Sequence, residues 1–157
     1  MTHSPYVSVI VRTKDRPIQL KNALCSISAQ DYRPLEVVVV NDGGCHFSHL
    51  DLQAVFPDIS VRLIELGTNL GRARAANTGI RNCSGEYICF LDDDDELRSH
   101  HISALIVSLD GRDEKVAYSK VDFVQKKADE DCTQGCLLHT FGRSFDPREL
   151  IIANYIP

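Results

Sequence analysis

Short apolar runs alternate with amphipathic stretches over the first hundred residues. Two runs rich in β-branched residues, 7–11 and 35–40, predict strands that are buried on both faces of a parallel sheet. Residues 60–66 and 86–91 predict two further strands. Because parallel strands need long crossover connections, usually helices, this alternation predicts an open α/β sheet.

Helices are predicted between these strands. After the first strand we expect Asp15 to cap a helix and Pro17 to lie in its first turn. The apolar positions that follow at helical spacing are Leu20, Ala23, Leu24 and Ile27. A short helix is predicted around 50–56. Two longer helices are predicted over 72–82 and 97–109, with the packing face of the first formed by Ala73, Ala76 and Ile80 and that of the second by Ile102, Leu105, Ile106 and Leu109.

The pattern changes after residue 111. Residues 116–124 predict a strand, 126–131 a charged turn, 135–141 the returning strand of a hairpin, and 147–154 a short helix. The predicted fold class is therefore α/β: a mostly parallel open sheet with helices on both faces and a small antiparallel carboxyl-terminal part.

Composition and charge narrow the function classes. The 157 residues are 43% hydrophobic and 25% charged, which is typical of a globular domain. A formal net charge of −5 disfavours binding of a nucleic acid polymer, although Arg72, Arg74 and Arg81 could bind a small anion. No apolar run approaches the roughly 20 residues that a membrane span needs.

Cysteine usage and the amino-terminal sequence bear on location. Residues 1–16 lack the features of a signal peptide, so we expect a cytoplasmic protein whose thiols are mostly reduced. Any peripheral contact with the inner face of the membrane is expected to be made by parts outside this chain. Cys25 and Cys89 are expected to act as small buried apolar residues. Cys132, Cys136 and His139 are an open zinc alternative, although their spacing departs from finger patterns and a fourth ligand is not evident.

The fourth predicted strand ends in five consecutive acids, residues 92–96. Like charges at the end of a buried strand repel one another, so the run suggests a divalent-metal site. The alternative is a solvated acidic loop. An EF-hand calcium loop is excluded, because its sixth and twelfth positions should be Gly and Glu and are here Leu97 and Ser103.

Two other segments predict ligand contacts at the same edge of the sheet. The turn 41–44, of sequence NDGG, follows the second strand, and open α/β folds bind ligands at the carboxyl ends of their strands. Residues 69–71 begin the small-residue helix, whose amino terminus favours anions.

Four ordered segments resemble glycosyltransferase family 2 enzymes with the GT-A fold. They are VSVIVRTKDRP with LKNALCSISAQDY, LEVVVVNDGG, NLGRARAANTGI and SGEYICFLDDDDEL. The resemblance is clearest over 7–97 and covers nearly the whole chain. It implies a Rossmann-like domain over 1–157 that binds a nucleoside-diphosphate sugar, truncated at its carboxyl end, with 1–110 as the donor-binding core and 111–157 as the start of the acceptor side.

The resemblance also implies roles for individual residues. Those expected to bind the nucleotide are Thr13, Asp15, Asp42, Asn69, Gly71, Arg72, Arg74, Asp92 and Asp93. The D-x-D motif is matched by Asp92-Asp93-Asp94, with Asp94 and Asp92 implied as ligands of Mn²⁺ or Mg²⁺. Asp95 and Glu96 are left as ligands or helix caps. Position 41 is Asn where many members of the family carry Asp.

The implied reaction is inverting transfer of a sugar from a donor, with uridine the expected nucleoside, to an acceptor hydroxyl of a saccharide, lipid or protein. A general base is expected beyond residue 157, because no acid after residue 100 sits in the family's setting; those present include Asp110, Asp122, Asp131, Asp146 and Glu149. A non-catalytic nucleotide-sugar-binding or regulatory module is the alternative. Nucleotidyl transferases and dinucleotide oxidoreductases are disfavoured, because the loop after the first strand contains no glycine.

Overall fold

The computed structural model describes residues 4–46, 49–113, 116–125 and 136–141. The chain divides into two compact units, Met1–Ser103 and Ala104–Pro157.

The first unit contains a sheet of four parallel strands. They are β1 (Val7–Thr13), β2 (Leu35–Asp42), β3 (Ser60–Leu66) and β4 (Tyr87–Asp92), in the order β3-β2-β1-β4. All four predicted strands are confirmed. β1 and β2 each run two residues further than predicted, so that Thr13, Asn41 and Asp42 belong to the strand ends rather than to loops.

β1 and β2 form the centre of the sheet, and all eight residues of β2 are buried. Their β-branched side chains suit a pleated surface covered on both faces. From β1 to β3 the chain progresses towards one edge of the sheet, and from β3 to β4 it crosses back to the other edge. Because each crossover is right-handed, the helices after β1 and after β3 lie on opposite faces of the sheet. The predicted doubly covered sheet is therefore confirmed.

The helices are α1 (Pro17–Ser28), α2 (His49–Val55), α3 (Arg72–Asn82) and α4 (His101–Leu109). Pro17 occupies the first turn of α1, and the predicted apolar positions of α1 are buried. The predicted cap is wrong, because Arg16 holds the cap position without a side-chain bond and Asp15 instead adopts a left-handed φ of 56°. Cys25, expected to be buried, is exposed on α1, whereas Cys89 on β4 is partly buried.

α3 packs through a different face from the predicted one. Its buried residues are Ala75 and Gly79, not Ala73, Ala76 and Ile80, and Ile80 is 40% exposed. A Cβ atom at position 79 would lie only 2.5 Å from Cγ2 of Ile10, so glycine lets the helix approach β1 closely. Ala75 packs beside it against Ile10, Val38 and Val40.

α4 begins four residues later than the predicted start at 97. The reason is a contact from Gln30, in the turn that follows α1. Its side chain accepts a hydrogen bond from the Ile102 amide at 3.1 Å and donates one to the Arg98 carbonyl at 2.8 Å. Gln30 is buried and lies far from α4 in the sequence. It therefore sets the first turn of α4, in which Ile102 is buried as expected.

The described part of the second unit contains an antiparallel pair, β5 (Val121–Gln125) and β6 (Cys136–Phe141). The predicted hairpin pairing is confirmed, but its first strand begins at 121 rather than 116. The predicted turn over 126–131 and helix over 147–154 lie outside the described residues. Among the helices that the structure describes, none has both the length and the apolar character to cross a membrane.

Candidate functional site

The acid run lies at the point where the strand order reverses. β1 and β4 are parallel neighbours, and Arg12 of β1 is opposite Asp92 of β4 in the register. The first two crossovers run from β1 towards β3, and the third returns to the other side of β1. In open α/β sheets, ligands bind at the carboxyl ends of the strands beside such a reversal.

Two arginines that sequence reasoning missed hold the acid run. Arg12 forms an ion pair with Asp92. Nη1 of Arg16, in the loop after β1, lies 3.2 Å from Asp93 Oδ1 and 2.8 Å from Asp94 Oδ2. The only sequence signal for such partners was that the acid run needs positive charge nearby, and this signal did not identify which side chains supply it.

Asp93 is turned into the protein. Its Oδ2 accepts a hydrogen bond from the Thr13 hydroxyl at 2.8 Å, and both residues are buried, with 5% and 3% exposure. This bond joins the end of β1 to the end of β4. Thr13 and Asp93, both expected to contact the nucleotide, thus bind each other in the structure.

Asp94 faces solvent, and its side chain is 56% exposed. The next residue, Asp95, has a raised pKa because its carboxyl is partly desolvated and because Asp94, Asp92 and Asp93 repel its charge. Arg12 and Arg16 pair with Asp92, Asp93 and Asp94 of the run. Because these carboxylates still repel the charge of Asp95, negative charge stays concentrated here with both arginines in place.

The oxygens of this cluster fit a hard divalent cation. Carboxylates are the protein ligands that Mg²⁺ and Mn²⁺ prefer, and Mg²⁺ is commonly held by one or two carboxylates together with substrate phosphates and water. Within the part of the chain that the structure describes, no three acidic, histidine or cysteine side chains converge as a complete metal site. The fit is to a cation that brings other ligands with it.

A second group of predicted residues meets at the ends of β2 and β3. Asp42 is buried, and its two carboxylate oxygens accept hydrogen bonds from the amides of Leu70 at 2.7 Å and Gly71 at 2.9 Å. The Asn69 side chain accepts a further bond from the Gly71 amide at 3.0 Å. Asp42 thus already supplies an anion to the amides that precede α3.

Asn41 fixes the turn that follows β2. Its Oδ1 accepts a bond from the Gly44 amide at 3.1 Å, and its Nδ2 donates to the Cys45 carbonyl and to Glu65 Oε2, both at 2.7 Å. The Cys45 amide donates to Asp15 Oδ1 at 2.8 Å, and this bond lowers the pKa of Asp15. The loops after β1, β2 and β3 are therefore tied together by side chains.

The remaining candidates are less connected. Arg72 and Arg74 are exposed in the first turn of α3. Of the zinc alternative, Cys132 and the side chain of Cys136 lie outside the described residues. Among the possible bases, Asp131, Asp146 and Glu149 also lie outside them, whereas Asp122 Oδ1 accepts a bond from Thr140 Oγ1 at 2.7 Å.

Comparison with known proteins decides the family. The profile described as Glycosyl transferase family 2 matches residues 8–148, which is most of the chain. The chain belongs to glycosyltransferase family 2. The resemblance carried by the four motifs is thus confirmed.

Two curated relatives of this family 2 chain come from bacteria. It is 36% identical over 104 residues to the GalNAc(5)-diNAcBac-PP-undecaprenol beta-1,3-glucosyltransferase of Campylobacter jejuni, covering 65% of this chain and 34% of that protein. It is 33% identical over 107 residues to the uncharacterized glycosyltransferase YwdF of Bacillus subtilis, covering 68% and 39%. The chain thus spans well under half the length of these relatives.

Solved structures of the family share the fold. The mannosyltransferase PcManGT from Pyrobaculum calidifontis, in complex with GDP-Man and Mn²⁺, matches with a TM-score of 0.63 and 28% identity over 80% of this chain and 37% of that one. S. aureus TarS 1-349 in complex with UDP-GlcNAc matches with a TM-score of 0.60 and 26% identity, covering 67% and 31%. The family 2 chain therefore has the predicted GT-A fold.

Proposed function

We propose that this chain is the donor-binding part of a metal-dependent, inverting glycosyltransferase that uses a nucleoside-diphosphate sugar. The observation that carries the proposal is the acid run at the strand reversal, where Asp92, Asp93 and Asp94 repel the charge of Asp95 and Asp94 is presented to solvent. Two solved structures similar to this chain hold GDP-Man with Mn²⁺ and UDP-GlcNAc, respectively. Uridine remains our preferred nucleoside, with guanosine as the comparison.

The residues divide into those that face the donor and those that position them. Asp94 and Asp92 would hold Mn²⁺ or Mg²⁺, which when bound supplies positive charge that stabilises the departing diphosphate. Thr13 and Asp93 would keep the ends of β1 and β4 in register beneath the donor. Asp15 would contribute to the nucleoside pocket from the loop after β1.

The loops after β2 and β3 would form the other wall of the donor site. Asp42 holds the amides of Leu70 and Gly71, and so shapes the segment that begins with Asn69. Arg72 and Arg74 would then lie on the solvent side of α3, within reach of an anionic ligand by virtue of their long side chains. In this arrangement Asp42 acts on the nucleotide through the loop it orders.

An inverting transfer also needs a base to deprotonate the acceptor hydroxyl. We place that base outside residues 1–157, in keeping with the small share of its relatives that the chain spans. Residues 1–110 would then bind the donor, and 111–157 would begin the acceptor side. A non-catalytic donor-binding module is the competing function, and a sugar-transfer assay on the longest natural protein that contains this chain would distinguish the two.

The test is titration of UDP and GDP into the chain with and without Mn²⁺. We expect Mn²⁺ to tighten binding of one nucleotide by roughly tenfold or more, since its positive charge would offset the repulsion between the acid run and the diphosphate. Asp94→Asn should remove that enhancement. Asp58→Asn is the matched control, because Asp58 is an exposed acid just before β3, at the opposite edge of the sheet. Binding that ignores both Mn²⁺ and Asp94→Asn would refute the proposal.

A further inference from the structure

Arg16 is the most exposed of the two arginines that hold the acid run. Its side chain is 50% exposed, whereas that of Arg12 is 20% exposed. Both contacts of Arg16 with the acids are made by the single nitrogen Nη1. Within the described residues, its other guanidinium nitrogens therefore remain available to an anion, and a guanidinium suits the paired oxygens of phosphate.

The two acids that Arg16 contacts differ in their freedom. Asp93 is 7% exposed at its side chain and is held by the Thr13 hydroxyl. Asp94 is 56% exposed, and no described neighbour besides Arg16 holds its carboxylate. The contact with Asp93 is therefore anchored, and the contact with Asp94 is the one that can be exchanged for another cation.

We propose that Arg16 is an exchangeable partner of Asp94, which it holds in the nucleotide-free protein and yields to the divalent cation when the donor binds. Arg16 would keep its contact with Asp93 and turn its remaining N–H groups to the diphosphate. This inference rests on the proposed donor-binding function. It assigns Arg16 two opposing effects: it weakens binding of the cation alone, and it strengthens binding of the nucleotide.

The opposing signs follow from charge. A guanidinium beside Asp94 competes with any cation for the same oxygens, so its removal favours the cation. The same guanidinium attracts the diphosphate, so its removal disfavours the nucleotide. A residue that merely stabilised the loop would change both affinities in the same direction.

The experiment measures the two affinities separately in the 157-residue chain. Free Mn²⁺ is followed by its electron paramagnetic resonance signal, and UDP and GDP are titrated by calorimetry in the presence of a chelator. For Arg16→Gln we expect Mn²⁺ to bind roughly two- to fivefold more tightly, as for loss of an exposed ion pair. We expect the preferred nucleotide to bind roughly tenfold more weakly, as for loss of a charged hydrogen bond.

Two further variants sharpen the result. Arg16→Lys keeps the positive charge but not the planar fork, so Mn²⁺ affinity should stay within about twofold of the unaltered chain while nucleotide affinity falls. Arg62→Gln removes the same charge from β3, at the opposite edge of the sheet from β4, and should change neither affinity. Circular dichroism confirms folding, and if Arg16→Gln does not fold, the lysine variant alone decides.

The outcomes separate this inference from the proposed function. Tighter Mn²⁺ with weaker nucleotide in Arg16→Gln supports the exchange. Unchanged or weaker Mn²⁺ binding in Arg16→Gln, or unchanged nucleotide binding in Arg16→Lys, overturns the exchange, and the proposed function stands if Asp94→Asn still abolishes the metal effect. Failure of the unaltered chain to bind UDP or GDP, both with and without Mn²⁺, overturns both.

Discussion

The hydrogen bond between Thr13 and Asp93 should contribute measurably to stability. Thr13→Val preserves the shape of the side chain but removes the hydroxyl that donates to Asp93 Oδ2 at 2.8 Å. The carboxylate is 7% exposed, so water cannot replace the lost donor, and a hydrogen bond to a charged group contributes about 1.5–3 kcal/mol. Arg16 still lies 3.2 Å from Oδ1 and offsets part of the loss. We expect the free energy of unfolding to fall by about 2 kcal/mol.

Urea denaturation followed by circular dichroism measures this change, in the absence of divalent metal. Thr13→Ser is the matched control, because it keeps the hydroxyl and loses one buried methyl group, which costs about 1 kcal/mol. A double-mutant cycle with Asp93→Asn should show a coupling energy of at least about 1 kcal/mol. A loss below about 0.5 kcal/mol for Thr13→Val, or additive effects in the cycle, would refute the view that this bond joins β1 to β4.

Three further predictions concern other parts of the chain. Gly43→Ala should destabilise the fold by about 2 kcal/mol or more, because φ is +73° and a Cβ would lie 2.4 Å from main-chain atoms of the loop after β3. Gly67→Ala is the control and should leave stability unchanged, because a Cβ there would meet no atom within 4 Å. Equal melting temperatures for the two variants would contradict this prediction. Burial lowers the pKa of His101, so the unfolded chain binds a proton more readily, and stability should decrease as the pH falls below about 6.5. Because the imidazole is only partly buried, His101→Gln should reduce this loss of stability by only a few tenths of a kcal/mol. Urea denaturation at about pH 7.5 and about pH 5.5 measures the difference in unfolding free energy between the two pH values. The same difference in the variant as in the unaltered chain would count against the prediction. Burial raises the pKa of Cys89 to about 11. Alkylation near pH 8 should therefore be on the order of a hundredfold slower at Cys89 than at the exposed Cys25. Equal alkylation rates of the two cysteines, measured by peptide mass spectrometry, would contradict this.

The sequence predicted those elements that local patterns determine. β1 and β2 were recognisable because runs of β-branched residues in a globular domain occur mainly as buried strands. The face of α3 was mispredicted because apolar character favoured Ala73 and Ile80, whereas close approach to Ile10 selected Gly79. Steric fit between two elements is a property of the pair, and one helix alone does not encode it.

The site was predicted only in part for a similar reason. The acids were visible as a run, but the cations that hold them, Arg12 and Arg16, lie about 80 residues earlier in the chain. Their pairing depends on the register of β1 against β4, which no local pattern specifies. Gln30, which fixes the start of α4, was missed on the same ground. Asp15, with the side chain of a helix cap, instead binds the Cys45 amide of another loop.

Asn41 has a consequence for how this protein varies among its relatives. Its Nδ2 donates to Glu65, so an aspartate at position 41 would set two carboxylates against each other at the end of neighbouring strands. The two positions are therefore expected to change together over evolutionary time, with an acid at 41 accompanied by a neutral or basic residue at 65. Aligned relatives would show this as paired substitution, in which a neutral residue at 65 appears before the acid at 41, because two carboxylates at these positions would repel each other.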